Sequence, residues 1–76
     1  MELSLADVSA GTSFYIERVG DDQLRAKLRR LGFLDGQVDC RTRLSKGPVV
    51  VSRHGTELAL GASVATDIEI TEVEAE

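Results

Sequence analysis

The chain contains one cysteine, Cys40, and one histidine, His54, the side chains that most often serve as nucleophile and base. Nucleophilic catalysis needs such groups held together in one pocket. The alternation around Cys40 places its side chain inside a predicted strand, where a thiol packs as a small hydrophobic group. If Val38 and Cys40 pair with Val49 and Val51 on the core face of a hairpin, His54 falls on the opposite face from Cys40. We therefore expect no catalytic residue and predict that the protein is not an enzyme.

Metal and phosphate ligands are also sparse in this sequence. A transition metal site needs three or four converging side chains of His, Cys, Asp or Glu. Asp35 and Asp39 have helical spacing but lie where a strand begins, so they do not converge. Gly32 and Gly36 are not followed by the Lys-Ser/Thr pair of a phosphate-binding loop. We expect no metal ligands and no bound cofactor.

Basic residues are concentrated in the middle of the chain. Segment 18–46 holds eight basic and four acidic residues and carries a charge of +4, whereas the remainder carries −8 and the whole chain −4. With Leu28 in the core, the arginines of the predicted helix lie on its exposed side, and those of the next strand face outward. Such an uneven charge could steer a charged partner toward one face, whereas the alternative is a surface whose charges are simply solvated, as charged residues on a helix usually are. The predicted interaction residues are Arg25, Arg29, Arg30, Leu34, Arg41 and Arg43.

Nucleic acid is the competing partner for these arginines, which could contact phosphates. Asp21, Asp22 and Asp39 are interleaved with them, and the sequence pI is about 4.9. No aromatic side chain stands among them to stack on a base. These features argue against nucleic acid.

Composition places the chain among small globular domains, with 42% hydrophobic and 29% charged residues. We predict a single domain, 1–76. No apolar run approaches the ~20 residues that span a bilayer. The first residues lack the basic and apolar regions of a secretory signal. One cysteine cannot form an internal disulfide. We expect a cytoplasmic protein that does not insert into the membrane.

The first predicted elements are a strand over 12–19 and a short amphipathic helix. Asp21 and Asp22 precede Leu24, Leu28 and Leu31, which share one helical face, and an aspartate can cap the helix start. Gly32 is predicted to end the helix in a left-handed conformation. Phe33 is then expected to pack back onto Leu28.

The rest of the chain is predicted to form mainly short strands. Alternation over 37–44 predicts a strand that buries its even-numbered positions, Val38, Cys40, Thr42 and Leu44. Segment 45–47 connects this strand to 48–52, which is predicted to return antiparallel. Turn residues His54 and Gly55, a strand over 57–60, a helical turn over 61–66 and a strand from Asp67 to Val73 follow. Five strands in so short a chain favour a closed or nearly closed barrel.

The order of these signals resembles the FeoA family, small cytoplasmic proteins of bacterial ferrous iron uptake. Segment 27–38 resembles the family pattern "L..LGF..G..V", and Leu5 to Gly11 resembles its opening, "L.dl..G". Segment 47–51 is similar to the start of its second half, "GPv.v". Segment 58–70 is similar to the remainder of that half, "lALg..vA..I.v".

The resemblance implies a mainly β, SH3-like barrel with one helix between the first two strands. It also implies an accessory or adaptor role in contact with the cytoplasmic GTPase domain of the membrane ferrous iron transporter. At family level it further implies transition metal ion binding. The same fold occurs in metal-dependent repressors, so a metal-responsive regulatory domain is the alternative. Exposed edge strands could also pair with a second copy, and self-association is left open.

Overall fold

The computed structural model describes residues 3–43 and 47–73. Strands dominate this part of the chain, as the sequence predicts. The elements in chain order are β1 (Leu3–Ser4), a 3₁₀ helix (Leu5–Asp7), β2 (Ser13–Val19), α1 (Asp22–Arg30), β3 (Val38–Arg43), β4 (Val49–Arg53), β5 (Thr56–Leu60), α2 (Ala62–Thr66) and β6 (Ile68–Glu72).

All strands belong to one antiparallel sheet, in the order β1-β6-β2-β3-β4-β5. Within residues 3–43 and 47–73 the sheet has six strands and not five, because Leu3 and Ser4 add a short strand beside β6. Strands far apart in this order bury side chains in one cluster, so the sheet curls around a common core. The core comprises Leu5, Val8, Phe14, Val19, Leu28, Phe33, Val38, Cys40, Val49, Val51, Leu60, Ala65, Ile68 and Ile70.

Helix α1 lies between the first two long strands and is defined at both ends by local sequence. The Asp21 carboxylate accepts hydrogen bonds from the backbone N–H groups of Gln23 and Leu24, at 2.8 and 3.1 Å. At the other end, the N–H of Phe33 donates to the carbonyl of Leu28 at 2.9 Å across the left-handed Gly32. The predicted cap, the glycine stop and the return of Phe33 are all confirmed.

The apolar face of α1 is narrower than the leucine spacing predicts. Leu28 is fully buried and Leu24 is half-buried, but Leu31 is 39% exposed. The chain reverses immediately after Leu31, and the fully buried Phe33 supplies the apolar group at this end of the helix. Leu31 is therefore left at the surface.

Strand β3 departs from simple alternation. Val38 and Cys40 are buried as predicted, but Thr42 is exposed. The register with β4 shifts by one residue, since Cys40 lies opposite Val51 whereas Thr42 lies opposite Val50. This bulge reverses the inward and outward positions that follow it. The predicted inward position of Leu44 and the connection through Ser45 and Lys46 lie outside the described residues.

Strands β4 and β5 form a hairpin closed by two residues, as the sequence predicts. His54 and Gly55 have φ angles of 51° and 84°. Positive φ at both central residues is typical of a type I′ turn, whose twist matches that of a two-residue hairpin. His54 is therefore an exposed turn residue. The helical turn predicted over 61–66 is present as α2, and within the described ranges neither α1 nor α2 is long and apolar enough to cross a membrane.

Candidate protein-interaction surface

The structure divides the six predicted interaction residues between two regions. Arg25 and Arg29 lie one turn apart on the exposed side of α1, and Leu34 follows in the turn after the helix. These three side chains line one groove. Arg30 is exposed on the same helix but does not line it. Arg41 and Arg43 lie on β3, outside the groove.

This groove has a volume of about 370 Å³ and lies between α1 and the second half of β2; we call it the α1–β2 groove. Its apolar lining is Ile16, Val19 and Leu34. Its basic lining is Arg18, Arg25 and Arg29, and its acidic lining is Glu17 and Asp22. The groove therefore combines an aliphatic surface with three guanidinium groups.

Residues Ile16 and Arg18, which the sequence did not single out, reach the groove through an irregularity in β2. Ile16 lies opposite Ile70 and Arg18 opposite Glu69, so the register with β6 shifts between them. The shift interrupts the alternation of β2 near the helix. The sequence identifies Arg18 as part of the basic segment. Its position in the groove, however, depends on the pairing of β2 with β6, a strand some fifty residues later in the chain.

The guanidinium groups of Arg18, Arg25 and Arg29 make no hydrogen bond or ion pair with the residues that the structure describes. Glu17 and Asp22 line the same groove without pairing with them. Other arginines do have partners. Arg43 donates to the carbonyl oxygen of Val8 at 3.4 Å, and Arg53 to that of Gly32 at 2.8 Å.

A second hollow, of about 400 Å³, lies on the outer side of β3, β4 and β5 and includes Arg41. Arg41 Nε lies 3.9 Å from Glu57 Oε2, and the two side chains are 61% and 60% exposed. Such an exposed pair contributes little stability. The carboxylate of Asp39 in the same hollow accepts a hydrogen bond from Ser13 Oγ at 2.7 Å. Arg41 thus belongs to a surface whose charges are already matched locally.

The alternation predicts that Arg43 shares the outward face of Arg41, but the structure shows that it does not. After the bulge in β3 it lies opposite Val49, which is buried. Its side chain stays exposed at the end of the strand and bonds the Val8 carbonyl. The five arginines therefore do not form one continuous surface.

Cys40 and His54 are not brought together. Cys40 is 1% exposed, and burial raises the pKa of its thiol above the ordinary value of 9.0, an effect that the charge of Arg43 partly offsets. His54 lies at the exposed hairpin turn, where its Nε2 is 3.0 Å from Arg53 Nη1. Across the described ranges, no three His, Cys, Asp or Glu side chains are grouped to hold a metal ion.

The family model of the FeoA domain matches residues 3–72, nearly the whole chain. The chain belongs to the FeoA family. The SH3-like fold expected from the resemblance is confirmed together with the family. No curated protein matches this FeoA-family chain by sequence.

Solved structures share the fold of this FeoA-family chain. A crystal structure described as an iron uptake regulatory protein, FeoA, has a TM-score of 0.78 at 21% identity, over 96% of this chain and all of that one. An NMR structure of a FeoA-like protein from Clostridium acetobutylicum has a TM-score of 0.74 at 18% identity, over 99% and 91%. A manganese-dependent transcriptional repressor has a TM-score of 0.74 at 20% identity, and the chain spans 42% of its length.

Proposed function

We propose that this FeoA-family chain is a cytoplasmic accessory protein of bacterial ferrous iron uptake. It acts by binding the cytoplasmic GTPase domain of the membrane iron transporter. The observation that carries the proposal is the family match over residues 3–72, which supports involvement in iron uptake.

A binding role, and not catalysis, also fits the chemistry of the described residues. The thiol of Cys40 is buried and held in its neutral form by burial, whereas a reactive thiol is exposed and ionised. His54 is committed to a turn. By contrast, the α1–β2 groove presents charged and aliphatic side chains to solvent. Arginine is enriched in protein interfaces, where a polar rim surrounds a more apolar centre.

The direct test is isothermal titration calorimetry of the full chain with the isolated GTPase domain, loaded in turn with GDP and with a non-hydrolysable GTP analogue. We expect a complex of micromolar affinity with at least one nucleotide state, within the range of transient protein contacts. Light scattering of the chain alone, run in parallel, reports self-association. Absence of heat with every nucleotide state would reject the proposal.

The second candidate is a metal-responsive regulatory domain. The observation in its favour is the similarity of fold to part of a manganese-dependent transcriptional repressor. This candidate requires the isolated chain to bind a metal ion. Anaerobic titration of the chain with ferrous ion, and separately with manganous ion, tests it, since saturable binding at one equivalent would favour it over the adaptor role.

A further inference from the structure

We propose that the α1–β2 groove binds an acidic segment that carries an aliphatic side chain and is supplied by the protein partner. This inference rests on the proposed function and deepens it, because it names the surface and the chemistry of the contact. Two independent features of the groove support it.

The first feature is charge without a partner. Arg18 on β2 and Arg25 and Arg29 on α1 point three guanidinium groups at one groove, and none is paired within the described residues. A guanidinium group forms two parallel hydrogen bonds with a carboxylate, which makes carboxylates its best-matched protein ligand.

The surrounding charge strengthens this preference locally. Helix α1 also carries Lys27 and Arg30 in its last turns, against the single acid Asp22. Cations at a helix C-terminus are favourable, so this end of the helix keeps its positive charge at little cost. The whole chain carries −4, however, so an acidic partner is attracted only at short range.

The second feature is the aliphatic surface between the charges. Ile16 and Leu34 are half-buried, pack against the core on one side and open into the groove on the other. An aliphatic side chain of the partner placed here would cover both. A volume of about 370 Å³ suits a few side chains of an extended segment and not a folded element.

The same lining disfavours nucleic acid. Among the described residues that line the groove none is aromatic, so they offer no surface on which a base could stack. The carboxylates of Glu17 and Asp22 would repel a continuous phosphate backbone, whereas a peptide can place its acids opposite the arginines alone.

The test compares charge loss inside and outside the groove. The double variant Arg25→Gln/Arg29→Gln removes two groove cations, and the matched control Lys27→Gln/Arg30→Gln removes two from the same helix outside the groove. We expect the double variant to weaken binding of the GTPase domain by about tenfold, and the control by less than about twofold. Added salt is expected to weaken binding of the wild type more than that of the double variant.

A peptide titration tests the groove without the transporter. The probe is the acetylated peptide Asp-Glu-Leu-Asp-Glu, followed by amide NMR of the labelled chain, with Asp-Glu-Ser-Asp-Glu and Lys-Lys-Leu-Lys-Lys as controls. We expect shifts at Ile16, Arg25 and Leu34 that are largest with the first peptide. Equal shifts with the serine peptide would overturn the aliphatic contact, and none with either acidic peptide would overturn the inference.

The two experiments separate the two proposals. If the GTPase domain binds Arg25→Gln/Arg29→Gln as well as it binds Lys27→Gln/Arg30→Gln, the groove is not the contact although the adaptor role stands. If the peptide binds and the domain does not, the adaptor role fails and the groove chemistry stands.

A truncated variant that ends at Val73 tests whether the groove is occupied by this chain's own acidic residues. If its groove amides shift relative to those of the full chain without any ligand, the groove belongs to the acidic segment after Val73, and a partner segment is overturned.

Discussion

Arg53 on β4 reaches the end of α1, where its Nε donates a hydrogen bond of 2.8 Å to the carbonyl oxygen of Gly32. Gly32 is the left-handed residue that follows the last turn of the helix. A cation at this position also interacts favourably with the helix dipole. The Arg53 side chain thus joins the β4–β5 hairpin to the helix that forms one side of the α1–β2 groove.

Gly36 leaves room for this arginine, and Gly36→Ala is expected to break the link. An added Cβ would lie 2.7 Å from Arg53 Nη2 and 3.2 Å from its Cζ, so the guanidinium group must shift, and we expect this shift to weaken its bond to Gly32. We expect a loss of about 1 kcal/mol in the free energy of unfolding, close to the value of one hydrogen bond. Urea denaturation followed by circular dichroism measures it.

A double-mutant cycle supplies the control for this prediction. In the Arg53→Ala background the Cβ of Gly36→Ala meets no guanidinium group, so the substitution is expected to be neutral or stabilising. An equal loss of stability from Gly36→Ala in both backgrounds would show that Arg53 is not the cause.

Gly32 itself is required by backbone conformation and not by space. Its φ is +85°, and nothing lies within 4 Å of a Cβ built there. Gly32→Ala is therefore expected to cost roughly 1–2 kcal/mol of unfolding free energy through left-handed strain alone, and Gly32→Asn less. Thermal and urea unfolding measure the difference.

Gly20→Ala is the matched control for Gly32→Ala. Gly20 has no positive φ, and its added Cβ would meet Asp67 at ordinary contact distance, 3.5 Å. The unfolding free energy of Gly20→Ala is therefore expected to stay near that of the wild type. If both variants lost the same stability, left-handed strain at Gly32 would not be the explanation.

The start of α1 gives a third prediction. Asp21→Ala removes the carboxylate that accepts from the backbone N–H groups of Gln23 and Leu24. We expect a loss of about 1 kcal/mol in unfolding free energy, and near-complete retention in Asp21→Ser, since serine also caps helices. Asp22→Ala, which removes an acid of the first turn without a capping bond, should cost less. Equal losses in Asp21→Ala and Asp22→Ala would contradict the capping role.

Helix α1 could be predicted from the sequence because its determinants are local. Asp21, Leu28 and Gly32 lie within one short segment, and each acts on neighbours two to five residues away. The helical spacing of Arg25 and Arg29 placed them correctly on one exposed face for the same reason. That part of the groove needed no knowledge of the sheet.

The features that the sequence does not predict depend on contacts between distant segments. The bulge that turns Thr42 outward exists only in the pairing of β3 with β4, and the shift that brings Arg18 to the groove only in the pairing of β2 with β6. The hydrogen bond from Arg53 to Gly32 joins residues 21 positions apart, and no periodicity in the sequence indicates it. Alternation alone therefore predicts which segments are strands but not where their faces reverse.

The thiol of Cys40 provides the prediction about pH. Burial raises the pKa of Cys40 in the folded chain above its ordinary value of 9.0, so the unfolded chain ionises first as pH rises. The resulting stability is fully present below pH 9.0 and is lost as the pH rises from there through the folded pKa. Cys40→Ala lacks this thiol, so its unfolding free energy is expected to fall less over that range.

Alkylation provides a second measurement of the same group. Iodoacetamide reacts with the exposed thiolate, and Cys40 is 1% exposed and protonated in the folded chain at neutral pH. We expect its modification to be slower by at least about a hundredfold than in urea-unfolded chain, because reaction then requires opening of the core. Similar rates in the folded and unfolded chains would place Cys40 outside the core and remove the basis for the predicted pH dependence.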